Sequence, residues 1–91
     1  EATIVMPEST PLTKVQGVRE LGAEVVLYGS NYDEAYGYAV GYAKEKQQDF
    51  VHPFSDEMVI AGQGTLAIEM LEERPELDLI VVPVGGGGLI S

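Results

Sequence analysis

Leu79-Ile80-Val81-Val82-Pro83-Val84 runs directly into Gly85-Gly86-Gly87-Gly88, and this junction decides how the rest of the chain is read. An apolar run without polar alternation is the pattern of a strand buried on both faces of a sheet. Four consecutive glycines lose more backbone entropy on ordering than any other tetrapeptide. Such a run is tolerated where backbone N–H groups must approach something closely, and after a buried strand that partner is often a phosphate. A flexible turn is the alternative. Ser91 follows three residues after the last glycine, so the helix completing a phosphate site is expected beyond it. With Glu1 rather than Met at its start, the chain reads as an internal segment.

Working back from that junction, strands and helices alternate. Thr3-Ile4-Val5-Met6 is a short apolar run stopped by Pro7, and Glu24-Val25-Val26-Leu27-Tyr28 is a second, closed by Gly29. Between them, Thr10 is expected to cap a helix with Pro11 at its first position. Leu12, Val15, Val18 and Leu21 form its apolar stripe, and Gly22 closes it in a left-handed conformation. Asn31 and Glu34 have the spacing of a capping box, opening a helix that buries Ala35, Ala39 and Ala43 and ends at Lys44-Glu45-Lys46. Phe50-Val51-His52-Pro53 is predicted as a third strand. Ser55-Asp56 caps a last helix reaching Glu73, with Leu66, Met70 and Leu71 at core spacing and Pro75 as its stop. The fold class is therefore α/β, a parallel β-sheet flanked by helices in the order βαβαβαβ.

The chain has 91 residues and a net charge of −10, with only Lys14, Arg19, Lys44, Lys46 and Arg74 positive. No basic stripe exists, so neither nucleic acid nor an anionic membrane is an expected partner. Cysteine is absent, which removes disulfides and thiol catalysis and fits a reducing, cytoplasmic setting. No apolar stretch approaches the ~18 residues of a transmembrane helix.

Each remaining motif has a plain structural reading. Gly62-Gln63-Gly64-Thr65-Leu66-Ala67 fits a dinucleotide fingerprint, but it follows a helix cap rather than a strand, and Val82 stands where a ribose-binding acid would fall. Small residues that let a helix pack closely explain it better. His52, the single histidine, has no identifiable nucleophile or companion ligands and reads as structural. Tyr32, Tyr36, Tyr38 and Tyr42 cover a helix flank, with an interaction patch as the alternative. Glu69, Glu72, Glu73, Glu76 and Asp78 crowd onto a helix end beside Arg74 and read as a solvated face rather than a metal site.

Three blocks taken together carry a more specific signal. Val51-His52-Pro53, Val59-Ile60-Ala61-Gly62-Gln63-Gly64-Thr65 and Val82-Pro83-Val84-Gly85-Gly86-Gly87-Gly88-Leu89-Ile90, with their spacing, closely resemble the middle of the threonine dehydratase and serine racemase family. These are fold-type II enzymes that use pyridoxal 5'-phosphate. The resemblance implies that residues 1–54 are most of a small α/β domain, and that residues 55–91 return to a larger cofactor-binding domain and end in its phosphate loop. It assigns the cofactor phosphate to the backbone amides of Gly85, Gly86, Gly87 and Gly88, with Leu89 as the next amide. The residue after His-Pro, which approaches the cofactor in some relatives, is Phe54, able to pack but not to hydrogen-bond through its side chain.

The family's Schiff-base lysine lies in a Ser-x-Lys segment that matches none of Lys14, Lys44 and Lys46. No residue of the chain is therefore assigned a catalytic or metal-binding role. The resemblance implies a parent lyase that eliminates water from threonine or serine and releases ammonia and a 2-oxo acid. The isolated chain is expected to be inert and not to retain the cofactor, its partner being the remainder of the parent polypeptide. Two other readings stand beside this one: a self-associating α/β module forming a homo-oligomer, and a small phosphate-ligand binder.

Overall fold

The computed structural model describes all of residues 1–91. The element order is β1 (Thr3–Met6), α1 (Leu12–Glu20), β2 (Glu24–Leu27), α2 (Tyr32–Lys46) and α3 (Glu57–Glu73). The chain divides into two units, residues 1–50 and 51–91.

In the first unit, β1 and β2 pair in parallel with Thr3 opposite Glu24 and Met6 opposite Leu27. The β-α-β connection through α1 is what parallel pairing requires, since two parallel strands cannot be joined by a tight turn. Helix α1 packs on β2 and α2 on β1. The buried apolar side chains are Val15 from α1 and Ala35 and Ala43 from α2. Of the predicted α1 stripe, Val18 is half-buried, whereas Leu12 and Leu21 are exposed.

The helix ends show how local sequence sets these boundaries. Pro11, not Thr10, is the residue before α1, and no side chain caps that helix. The fixed φ of proline directs the chain into the first turn without a capping oxygen. At the other end Gly22 adopts φ +82. There the Ala23 N–H reaches the Val18 carbonyl and the Gly22 N–H reaches that of Arg19, a Schellman closure that glycine permits. Helix α2 is capped by Asn31 Oδ1, which accepts from the Glu34 N–H at 3.0 Å. The reciprocal arm differs from a standard capping box: Glu34 Oε2 accepts from the N–H of Ser30, one residue further back, at 2.8 Å. Gln47 closes α2 at φ 55 and ψ 42, a left-handed conformation unusual for a residue with a side chain. Lys44 and Lys46 in that last turn suit the negative end of the helix dipole.

In the second unit, Asp56 caps α3 by accepting from the N–H groups of Met58 and Val59. The helix ends at Glu73, ahead of Pro75. None of its residues is buried, so Leu66, Met70 and Leu71 do not form a core in this chain. Leu66 and Leu71 are exposed, and Met70 is half-buried.

Two predicted strands are absent. Residues 50–53 and 79–84 make no inter-strand hydrogen bond, and the sheet has two strands rather than four. A strand exists only when its N–H and C=O groups are paired by a neighbour, and apolar composition does not supply one. The α/β class and the parallel pairing stand, but the order βαβαβαβ is corrected to βαβαα.

Candidate functional site

The glycine run is ordered as a bend followed by a single helical turn. Gly87 takes φ +91, a region that side chains disfavour. The Ser91 N–H then donates to the Gly87 carbonyl at 3.1 Å, and the Ser91 hydroxyl donates to the same oxygen. The N–H groups of Gly85, Gly86, Gly87, Gly88 and Leu89 donate to no acceptor within the chain. Gly88 is nevertheless buried, and Gly87 and Leu89 are half-buried. Buried N–H groups are rarely left unpaired. A row of free donors around a positive-φ residue at the mouth of a helical turn has the makings of an anion-binding concavity.

The four glycines differ in what their neighbours demand. A Cβ on Gly86 would lie 2.4 Å from Cγ and Cδ1 of Phe54, and one on Gly88 would lie 3.1 Å from the Phe54 Cβ and carbonyl oxygen. At these two positions the aromatic residue already fills the space a side chain would take. Gly87 is required by its backbone angle. Gly85 has neither constraint, for its Cβ would meet open space and its φ is not positive. Nothing within the chain explains a glycine there, whereas close approach of a ligand to the backbone would.

Phe54 is itself held in place by His52. The imidazole Nδ1 of His52 accepts from the N–H of Ser55 at 2.8 Å and from that of Phe54 at 3.2 Å. The two rings meet edge to face at 4.7 Å. An accepting Nδ1 places the ring proton of neutral imidazole on Nε2. The structural reading of His52 holds, and its work is to turn the backbone between Pro53 and the Asp56 cap. The Phe54–Gly86 contact spans 32 residues, and the only signal for it in the sequence is the aromatic residue after His-Pro.

Gly62 and Gly64 lie inside α3, where the Thr65 hydroxyl donates to the Gly62 carbonyl at 2.8 Å. No strand precedes them, so the dinucleotide pattern is a coincidence of helix composition. Tyr28 and Tyr38 stack with ring centroids 4.2 Å apart, and Tyr38 continues to Tyr42 at 6.1 Å. An open groove of about 300 Å³ runs along Gly37, Tyr38, Gly41, Tyr42 and Glu45. Partial burial raises the Tyr32 hydroxyl's pKa above its usual value, with Tyr36 and Asp33 adding to the effect. No cluster of acids or histidine has the arrangement of a metal site. Among the acids at and beyond the end of α3, Glu76 is paired with Arg74.

Comparison with known proteins finds similarity along the whole length. The family model described as pyridoxal-phosphate dependent enzyme matches residues 1–91. The chain is 56% identical over 90 residues to the L-threonine ammonia-lyase of Geobacter sulfurreducens, covering 99% of the chain and 22% of that enzyme. Among solved structures it is similar to threonine deaminase isoform 2 of Solanum lycopersicum, with a TM-score of 0.83, 44% identity and coverage of 98% of the chain and 24% of that structure. Maize serine racemase aligns with a TM-score of 0.88 at 35% identity, over 98% of the chain and 27% of the other. The chain thus spans between 22% and 27% of the length of each of these relatives. The match runs through both units and through the glycine loop, and the chain belongs to the pyridoxal-phosphate-dependent enzyme family.

Proposed function

We propose that residues 1–91 are a segment of a pyridoxal-phosphate-dependent ammonia-lyase acting on threonine or serine, and that the amides of Gly85, Gly86, Gly87, Gly88 and Leu89 hold the phosphate of the cofactor. The observation that carries the site is the row of free N–H groups on a partly buried loop, together with Gly85, a glycine that no contact in the chain explains. When bound, pyridoxal phosphate supplies the electron sink for loss of the amino acid's Cα proton, with the hydroxyl leaving from Cβ. The residues of this chain supply anchorage. Backbone donors bind the dianion without carrying a proton of their own into the reaction, and the turn from Gly87 to Ser91 orients them. No covalent role is given to Lys14 on α1 or to Lys44 and Lys46 on α2.

In this reading residues 1–54 are most of the small domain and residues 55–91 return to the large one, which the division of the chain near residue 50 supports. The partner is the rest of the same polypeptide. Leu79, Val81 and Val84 are exposed at 76%, 87% and 66%, apolar surface that neighbouring strands of a larger sheet would cover. The same surface favours a second reading, self-association, which light scattering on dilution distinguishes. A chain without cysteine suits a cytoplasmic enzyme, and no helix is long and apolar enough to cross a membrane.

The test is a segment exchange. Residues 1–91 replace the matching stretch of the Geobacter sulfurreducens enzyme. The chimera is expected to bind pyridoxal phosphate and to release ammonia from threonine. A folded chimera that binds no cofactor would refute the proposal.

A further inference from the structure

We infer that Phe54 is a positioning residue for the glycine loop: its side chain, aimed by His52, is the template against which Gly86 and Gly88 set the phosphate-binding amides. The inference rests on the function proposed above and adds a residue that works through the loop rather than on the ligand itself.

Three observations meet at this residue. The phenyl ring occupies the space where a Cβ of Gly86 would stand, 2.4 Å from Cγ and Cδ1 and 2.7 Å from Cδ2. The Phe54 backbone occupies the equivalent place at Gly88, with its carbonyl oxygen at 3.1 Å and Cα at 3.2 Å. One residue therefore makes close contact with alternate members of the loop, Gly86 through its ring and Gly88 through its main chain. Its own conformation is fixed by His52. His52 Nδ1 accepts from both the Phe54 and Ser55 N–H groups, and the imidazole meets the phenyl ring edge to face.

Glycine is the most mobile of residues, and a run of four has no side chains with which to hold its shape. The loop must therefore be shaped by what it lies against. A rigid aromatic surface does this at small entropic cost, since a phenylalanine has two side-chain torsions to fix. The consequence for binding is geometric. The free N–H groups of Gly85 to Leu89 can converge on one phosphate only if the backbone keeps the path that the ring enforces, and an error of about 1 Å is large for such a site. Removing the ring should leave the donors present but misaligned.

The experiment compares two probes, pyridoxal 5'-phosphate and pyridoxal, which lacks the phosphate, on the chimeric enzyme and its variants by equilibrium dialysis. Phe54→Ala is expected to weaken pyridoxal phosphate about tenfold or more, the loss of at least one charge-assisted N–H bond, while pyridoxal binding changes little. Phe54→Tyr, which keeps the ring, is expected to retain the preference. Gly86→Ala should lose it by collision with the ring, and the double variant Phe54→Ala, Gly86→Ala should recover part of it. Equal weakening of both probes would mean a merely structural role and would overturn the inference, as would no change at all. A parent chimera that does not prefer the phosphorylated probe removes the function proposed above, and the inference with it. A second measurement stands apart from folding of the chimera: in the 91-residue chain, the Hα resonances of Gly86 and Gly88 should carry a ring-current displacement that Phe54→Leu abolishes. Unmoved resonances would show that the contact does not exist in solution.

Discussion

The ring of Phe54 lies where Gly86 has no side chain, so that a methyl group added to the glycine would stand 2.4 Å from Cγ of the phenylalanine. Gly85, next along the chain, faces open space. The two glycines look alike in the sequence and differ in kind. Gly85→Ala should therefore leave amide exchange across residues 51–91 unchanged, with any stability effect within about 0.5 kcal/mol. In the chimera the same substitution should weaken pyridoxal phosphate and spare pyridoxal. Loss of protection throughout the unit would show that Gly85 serves the fold instead.

Gln47 closes α2 in a left-handed conformation that disfavours a side chain by about 1–2 kcal/mol. Its N–H and that of Gln48 already reach the Lys44 and Ala43 carbonyls, so glycine would keep the closure and relieve the conflict. After the greater flexibility of unfolded glycine is subtracted, Gln47→Gly should stabilise residues 1–50 by about 0.5–1 kcal/mol. Urea unfolding followed by tyrosine fluorescence measures this, and a lower midpoint would contradict it.

Tyr28 follows β2 and Tyr38 lies on α2, and their rings stack at 4.2 Å with an interplanar angle of 18°. The pair pins the helix to the end of the strand. A double-mutant cycle between Tyr28→Ala and Tyr38→Ala should return a coupling of about 0.5–1.5 kcal/mol beyond burial alone. A coupling near zero would mean that the rings merely lie side by side.

Asp56 holds the first turn of α3 through the N–H groups of Met58 and Val59. Asp56→Ala should cost about 1 kcal/mol of local helix stability, and Asp56→Asn should keep most of it because the amide oxygen still accepts. Amide exchange at Met58 and Val59 reports the difference directly. Equal protection in all three proteins would contradict the cap.

Glu76 is held below the ordinary carboxyl value of 4.5, first by its own backbone N–H and then by the Arg74 guanidinium. A depressed carboxyl pKa stabilises the folded form above the unfolded value, and that contribution is lost as the pH falls through the folded one. The sensitive window therefore lies below pH 4.5. Arg74→Gln should move the Glu76 titration upward in an NMR pH series, although not fully, because the backbone donor remains.

What the sequence revealed and what it withheld divide along a physical line. Caps and closures depend on residues within one turn of each other, and Asn31, Asp56 and Gly22 act at the helix ends where their chemistry places them. Strands depend on partners. The runs at 50–53 and 79–84 have the composition of strands but are not paired into the sheet. Burial follows the same line: Leu66 and Leu71 keep helical spacing in α3 yet are exposed, because spacing selects a face without supplying anything to cover it. The glycine loop was legible as a motif, whereas its seat on Phe54 joins positions too far apart for a local pattern to record.

The buried side chains Val15, Ala35 and Ala43 all belong to residues 1–50, as do Tyr28, Tyr32, Tyr36, Tyr38 and Tyr42, which are all five tyrosines of the chain. The intrinsic fluorophores therefore sit in the half that holds the buried side chains, while the 17 residues of α3 contribute to a far-ultraviolet spectrum from a region with no tyrosine. Melting curves from tyrosine emission and from circular dichroism should consequently not superimpose. Under that condition a single unfolding free energy is undefined for the chain, and each half needs its own probe.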